Sequence, residues 1–259
     1  MQDSKTNRII LLIISLLVLL VSSLGLLVPD FYAARNNAIT TFELAGQDVI
    51  SWIGGAFLLW LALGGRKGKI YSIITTGLLI YFAYTFAYFL FGLITSKVYI
   101  GYILITGLSF YSILTTAKTI LMNRDEATNA KQKAISIYLI IVVVLVGLID
   151  SKDILIKTLM SNGGLNPKGV FYILDLAFLF PGMVIAAVLN LKGQYVGRFF
   201  TGAFLIKTVA LMPALILADI LHYRNTGGFV DFGFDVIALV VMISAVVFYG
   251  IYQADIKRT

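Results

Sequence analysis

Long apolar runs separated by short polar segments dominate the sequence. In a membrane β-barrel, apolar and polar residues alternate with a period of two. These runs show no such alternation. Helices satisfy their own backbone hydrogen bonds in lipid, and about 20 apolar residues cross a bilayer. The pattern therefore predicts an all-α membrane protein with eight transmembrane helices, near residues 9–28, 48–64, 70–94, 98–121, 134–150, 169–190, 198–220 and 232–252.

The first run follows a short segment that carries Lys5 and Arg8, an arrangement that also begins secretory signal peptides. The run is longer than the usual apolar segment of about 7–15 residues in a signal peptide, and no clear cleavage site of small residues follows it. We therefore expect it to be retained as the first span.

The composition agrees with a membrane protein and excludes much site chemistry. Apolar residues make up 59% of the 259 residues and charged residues 13%, whereas soluble domains are nearer half apolar and a quarter charged. The chain has no cysteine and a single histidine, His222. Thiol nucleophiles, disulfides and iron–sulfur clusters are thereby excluded, and we expect no metal site and no cofactor.

The basic residues predict the orientation of the spans. With the N-terminus in the cytoplasm, thirteen cations lie on the cytoplasmic side, six lie outside, and Lys207 is left within a span. This distribution follows the positive-inside rule, so both termini are expected in the cytoplasm. The net charge of +7 then reflects insertion and attraction to membrane lipids, and it gives no reason to expect a nucleic-acid partner.

Acidic residues are concentrated toward the predicted outer side. Because acids contribute little to insertion, topology does not require this distribution. The outer loops are either polar without a specific role, or they form an acidic vestibule that gathers cations or binds a positively charged partner. The acids concerned are Asp30, Glu43, Asp48, Asp150, Asp153, Asp175, Asp219, Asp231 and Asp235.

Short motifs recur in the two halves of the chain. Lys67-Gly68 and Thr76-Gly77 recur 125 positions later as Lys192-Gly193 and Thr201-Gly202, and Asp48 recurs 127 positions later as Asp175. We infer a duplication of four helices, related by an axis along the membrane normal. The alternative is a chance similarity between short dipeptides.

This duplication predicts the organisation of the chain as one membrane domain in two halves. Residues 1–121 form the first four-helix half, residues 122–133 a cytoplasmic linker, and residues 134–259 the second half. The second outer loop predicts a short interfacial helix that Ser151 caps and that ends before Asn162-Gly163-Gly164. The first outer loop, residues 30–47, has a weaker version of this pattern. Such helices either cover a pocket or fill the headgroup layer.

Lys207 is the most informative single residue, because it lies nine positions inside the seventh run. Insertion scales assign a central lysine a cost of about 2.5–3.5 kcal/mol, so such residues usually face protein or water. One interpretation is structural, a lysine that snorkels or pairs with an acid. The other is functional, a counter-charge for an anionic substrate or a gating ion pair.

Two acids are candidate partners of Lys207. Asp175 lies in the sixth run, six residues before Pro181, which lacks a backbone N–H and permits a kink. Asp219 lies near the outer end of the seventh run, beyond Pro213. Because Lys207 is deeper in the bilayer than Asp175, we expect the two to share an aqueous cavity rather than to form a tight pair.

Tyrosines repeat along the third run at Tyr81, Tyr84 and Tyr88, a spacing that places them on one helical face. Each hydroxyl needs a partner away from lipid. The face is either ordinary core or a polar wall opposite Lys207, since the duplication aligns Phe82 with Lys207.

Several features together resemble a group of uncharacterised bacterial integral membrane proteins. They are Gln47-Asp48, the three tyrosines followed by Phe91-Gly92, Ser109-Phe110-Tyr111, and Asp175 with Pro181. The resemblance covers most of the chain. It implies a multi-pass protein of a bacterial cytoplasmic membrane, and it implies no activity.

The sequence thus predicts an outward-facing polar cavity with a site for a small solute or cation. The favoured function is transport of a small solute or ion, or ligand sensing. The alternatives are a lipid-active enzyme that uses outer-leaflet carboxylates and a non-catalytic scaffold or assembly subunit. No HExxH or GxSxG motif is present, so a catalytic role is less favoured and no catalytic residue is assigned. The predicted lining residues are Lys207, Asp175, Asp48, Asp219, Tyr81, Tyr84 and Tyr88.

Overall fold

The computed structural model describes residues 5–28, 31–32, 38–65, 68–92, 98–121, 129–160, 169–227 and 232–256, and these contain helices and turns but no strand. Within these ranges, eight helical segments are long and apolar enough to cross a membrane. The predicted all-α fold with eight spans is confirmed, and the protein is a polytopic membrane protein. The helices are α1 (Lys5–Leu27), α2 (Ala38–Leu63), α3 (Lys69–Phe91), α4 (Tyr99–Ile120), α5 (Ala130–Met160), α6 (Gly169–Leu174), α7 (Phe180–Leu191), α8 (Tyr195–Thr226) and α9 (Phe232–Ile256).

Helix α3 lies at the centre of the bundle, and α4 and α9 lie at its periphery. In the most apolar stretch of each helix, 72% of the α3 residues are buried, against 17% for α4 and α9. The exposed side chains of the outer helices include large apolar ones such as Val240 and Val247. A soluble protein rarely exposes so much apolar surface, whereas lipid accommodates it.

Close contact between α3 and α8 depends on Gly77. A Cβ atom at this position would lie 2.5 Å from Cβ of Ile206 and 2.7 Å from the carbonyl oxygen of Ala203. Only a residue without a side chain allows the two backbones to approach this closely. Helix α8 also packs against α2, α7 and α9, so α3 and α8 connect the two halves of the chain.

Each half pairs its helices in a similar way. Helix α1 packs on α2 and α4, and α3 packs on α4; likewise α5 packs on α7 and α9, and α8 packs on α9. Gly68 and Gly193 both have positive φ angles, 126° and 78°, in the turns before α3 and α8. Because a positive φ angle favours glycine, the local backbone conformation also explains why both Lys-Gly motifs contain glycine. The duplication stays a prediction.

Several predicted boundaries are wrong because helices extend into segments interpreted as loops. Helix α5 runs without a break to Met160, so Ser151 does not cap a separate interfacial helix. No glycine or proline interrupts residues 148–160, and their apolar positions continue at helical spacing. Similarly, α2 begins at Ala38, and α8 continues to Thr226.

Parts of three predicted features lie outside the described residues. They are residues 122–128 of the linker, Lys67 of the repeat and the Asn162-Gly163-Gly164 segment. The end of the predicted linker, residues 130–133, belongs to α5.

Basic side chains gather at one end of the bundle, where α1, α3 and α8 begin. Arg8 donates hydrogen bonds from Nε to the carbonyl of Ala62 over 2.8 Å and from Nη2 to that of Leu63 over 2.7 Å, at the end of α2. A cation there complements the helix dipole. Lys69 lies with Nζ 4.5 Å from the ring centre of Tyr195. We call this the basic end; its cytoplasmic location stays a prediction.

Candidate functional site

Lys207 lies well inside α8, twelve residues from its first residue, or about 18 Å along the axis at about 1.5 Å per residue. The residue is 2% exposed. Its ammonium nitrogen lies 4.3 Å from the ring centre of Tyr84 on α3, and it is attracted by the carboxylate of Asp175. The lysine therefore faces the protein interior, between two other spans.

Asp175 begins a π-helical turn, residues 175–179, between α6 and α7. The N–H of Phe180 donates to the carbonyl of Asp175, five residues back rather than four. Pro181 follows in the first turn of α7 and has no N–H to donate. The irregularity expected near Pro181 is thus a π-helical turn, a feature that recurs at functional sites.

Tyr84 contacts both charged side chains. Its hydroxyl donates a hydrogen bond to the carboxylate of Asp175, while its ring face receives the ammonium of Lys207. Oδ1 of Asp175 has no hydrogen-bond partner among the described residues. We call Lys207, Asp175 and Tyr84 the Lys207 cluster; it joins α3, α8 and the π-helical turn.

An aromatic pair lies beside this cluster. The ring of Tyr88 stacks on that of Phe171 in α6, with centroids 3.6 Å apart and an interplanar angle of 17°. The Tyr84 ring centroid lies 6.3 Å from that of Phe171. Phe171 lies one helical turn before Asp175, so this aromatic pair lies next to the Lys207 cluster.

Asp48 and Tyr81 belong to a different group of residues, which we call the Asp48 cluster. Asp48 is fully buried in α2, and its Oδ2 accepts a hydrogen bond from the Tyr32 hydroxyl over 2.7 Å. The Tyr81 hydroxyl lies 3.2 Å from Oε1 of Gln47 and 3.4 Å from Oγ of Ser51. The described contacts of this cluster are with α1, α2, α3 and α4, and not with Lys207.

Asp219 lies on α8, twelve residues beyond Lys207 and past Pro213. This separation is about 18 Å along the helix axis, so Asp219 is not adjacent to Lys207. The structure therefore distributes the seven predicted lining residues among the Lys207 cluster with its neighbour Tyr88, the Asp48 cluster, and Asp219.

A third polar group lies at the basic end, and no motif in the sequence indicates it. Asp255 accepts hydrogen bonds from Nη2 of Arg198 over 2.5 Å, Nε2 of Gln132 over 2.7 Å and Nδ2 of Asn129 over 2.7 Å. Asn190 donates from Nδ2 to Oγ of Ser136 over 2.9 Å. We call these six residues the Arg198 network; it ties α5, α7, α8 and α9 together.

In the sequence, Arg198 is only one of the thirteen predicted cytoplasmic cations, although the structure leaves it 3% exposed. Polar residues are expected where apolar runs end, so Gln132, Asn190 and Asp255 carry no individual signal. Their common location at span ends is the one indication that they meet.

Within the described part of the chain, no three His, Cys, Asp or Glu residues lie close enough together to hold a metal ion. Comparisons with protein-family models, curated proteins and solved structures found no match. The resemblance to a bacterial group stays a prediction. The comparisons name no family, and the buried polar clusters are the basis for inferring the function of this polytopic membrane protein.

Proposed function

We propose that the protein transports a small solute across the membrane and that the Lys207 cluster is its binding site. The supporting observation is a buried lysine beside a half-buried aspartate within the spans, with Tyr84 contacting both. Charged side chains inside a membrane are costly and usually mark a solute or ion pathway.

The cluster offers two opposite charges to a solute. Lys207 would bind an anionic group such as a carboxylate, and the open Oδ1 of Asp175 would accept a hydrogen bond from a cationic group or hold a proton. The Tyr88–Phe171 pair would contact an apolar portion. These features favour a small carboxylate or zwitterion.

The π-helical turn supports movement at this site. Transporters often place their sites where a membrane helix is interrupted, because backbone groups there are freed from regular bonding. Helix α6 begins at the end of the bundle opposite the basic end. Asp175 lies six residues later, within such an interruption. We propose that the site opens toward that end, which is the predicted outer side.

A double-mutant cycle tests whether the charges serve binding or only stability. We would measure unfolding of the detergent-purified wild type, Lys207→Met, Asp175→Asn and the double variant. If the charges are kept for binding, each single variant should stay within about 1 kcal/mol of wild type, because functional charges seldom add stability. Losses of about 3–5 kcal/mol that the double variant recovers would show a structural ion pair and overturn the proposal.

Three small probes test the chemistry of binding: glycine carries both charges, acetate only the anion, and methylammonium only the cation. We expect glycine and acetate to raise the melting temperature of the wild type and not that of Lys207→Met, because ligands stabilise the state that binds them. Stabilisation by methylammonium alone, or by none of the probes, would contradict a carboxylate site at Lys207. Flux of the binding probe into proteoliposomes then distinguishes transport from sensing.

A further inference from the structure

The carboxyl group of Asp48 has no cation near it among the described residues. Tyr32 donates its hydroxyl to Oδ2. Ser22 of α1 lies beside the carboxyl group, yet neither Oγ of Ser22 nor Oδ1 of Asp48 has a partner in hydrogen-bond geometry among those residues. A proton on the carboxyl group would supply a donor between these two oxygen atoms, Oδ1 of Asp48 and Oγ of Ser22.

The helices packed around α2 bring hydroxyls and apolar groups to Asp48. Tyr81 on α3 lies nearby, and Tyr102 on α4 lies beside Tyr32. Helix α8 meets α2 through Ala214 and Ala218, which pack against Gly46. No lysine, arginine or histidine is among the contacts of Asp48 in the described part of the chain.

Helix α1 packs tightly against this carboxyl group. A Cβ atom at Gly25 of α1 would overlap the Asp48 carboxyl group and lie 2.6 Å from the Tyr32 hydroxyl oxygen. An ionised carboxylate without a counter-charge is very costly in an apolar interior. A proton neutralises the charge without needing space.

We propose that Asp48 is a proton-binding site and that its proton couples to solute binding at the Lys207 cluster. The coupling rests on the proposed function. In the protonated state the carboxyl O–H bond is intact; when this bond breaks, the proton goes to water and the electron pair stays on the Asp48 carboxylate. Tyr32 can donate its hydroxyl to the carboxyl group in both states.

Helix α3 provides the physical link between the two clusters. Tyr81 contacts Gln47 and Ser51, the neighbours of Asp48 on α2, while Tyr84 contacts Asp175 and Lys207. A new charge at Asp48 would require α2 and α3 to rearrange so that the carboxylate is solvated. Such a movement of α3 would also displace Tyr84.

Infrared spectroscopy tests the proton site without any ligand. We expect the full-length protein in detergent at pH 7 to show the carbonyl stretch of a protonated carboxylic acid, with a component that Asp48→Asn removes and the matched control Asp175→Asn keeps. Asp48→Glu, which should move the band, replaces Asp48→Asn if the latter does not fold. A wild type without the band, or a band that only Asp175→Asn removes, would overturn the proton site.

Proton exchange tests the coupling, with glycine as the probe and a pH-sensitive dye in weak buffer. We expect glycine to change the dye signal with the wild type, and to bind to Asp48→Asn with no such change. Glycine binding to the wild type without proton exchange overturns the coupling and leaves the transport site standing. Absence of glycine binding overturns the coupling and contradicts the carboxylate site, while the infrared band still decides whether Asp48 holds a proton.

Discussion

The second half of the chain places two cations beside carboxylates, and the surroundings of the two pairs are very different. In the Arg198 network, the Asp255 carboxylate accepts hydrogen bonds from three side chains on two other helices and the residue before α5. In the Lys207 cluster, the Asp175 carboxylate has one tyrosine hydroxyl and an open Oδ1. One pair is closely bound by the protein, and the other keeps an acceptor available.

We interpret this difference as that between a structural pair and the proposed binding site. A buried ion pair is compensated only when good geometry and further hydrogen bonds satisfy both partners. The planar guanidinium of Arg198 suits such a fixed arrangement, whereas the ammonium of Lys207 is a compact charge on a flexible stem. We therefore infer that Arg198 holds helix ends together and that Lys207 is free to exchange a protein contact for a solute.

The backbone around the two carboxylates differs in the same sense. Asp255 lies in the last turn of α9, which is regular along its length. Asp175 lies in a π-helical turn that Pro181 follows. Regular helical backbone therefore carries Asp255, whereas the backbone at Asp175 is irregular.

Breaking the Arg198–Asp255 pair should have the largest effect on stability. Arg198→Leu leaves a buried carboxylate without its cation, so we expect a loss of about 3–5 kcal/mol in the free energy of unfolding. Unfolding of the detergent-purified protein by heat or by denaturing detergent measures it. Lys192→Leu is the matched control, because Lys192 is exposed at the same end and its loss should stay within about 0.5 kcal/mol.

Equal effects of these two variants would show that the Arg198 network does not hold the helix ends. Arg198→Leu should also leave glycine binding intact in any fraction that folds, since the Arg198 network does not contact the Lys207 cluster. A selective loss of glycine binding would show that the two pairs act as one functional unit, and would contradict the distinction between them.

Glycine substitutions should give an intermediate effect and sharpen the same contrast. A Cβ atom at Gly202 would lie 2.6 Å from ring atoms of Tyr252, whose hydroxyl donates to the carbonyl of Arg198 over 2.9 Å. We expect Gly202→Ala to lose about 1–3 kcal/mol through overpacking, measured by thermal unfolding.

Gly182→Ala, near the π-helical turn, is the matched control for this prediction. Its Cβ atom would lie 3.2 Å from Cζ of Phe204, the far end of a side chain that can shift. Since alanine also favours helix over glycine by up to about 1 kcal/mol, this variant should be nearly neutral or slightly stabilised. A larger loss for Gly182→Ala would mean that the region around Asp175 is as tightly packed as the basic end.

The eight spans could be predicted because long apolar runs have few other structural solutions. The ends of helices could not: residues 38–47 and 151–160 are polar enough to resemble loops, yet they continue α2 and α5. A run of hydropathy identifies where lipid is crossed. It does not show where a helix stops once it leaves the apolar layer.

The same reasoning explains which site residues were predictable. Lys207, Asp175 and Tyr84 are conspicuous because they are polar within apolar runs, and helical spacing gave the tyrosine face. Grouping them with Asp48 in one cavity went beyond the contacts that the structure shows, since helix pairing is a tertiary property. Tyr32, the partner of Asp48, lies outside the spans and carried no signal.

The smallest expected effect on stability comes from the hydroxyl of Tyr84. Tyr84→Phe removes the hydrogen bond to Asp175 and keeps the ring that faces Lys207, so we expect a loss of about 1 kcal/mol or less in unfolding free energy. Tyr84→Leu also removes the cation–π contact and should lose more, by about 0.5–2 kcal/mol. Thermal unfolding measures both. If Tyr84→Phe destabilised the protein as much as Arg198→Leu, the Lys207 cluster would be a closed structural network like that around Arg198, and its open acceptor would no longer support a binding site.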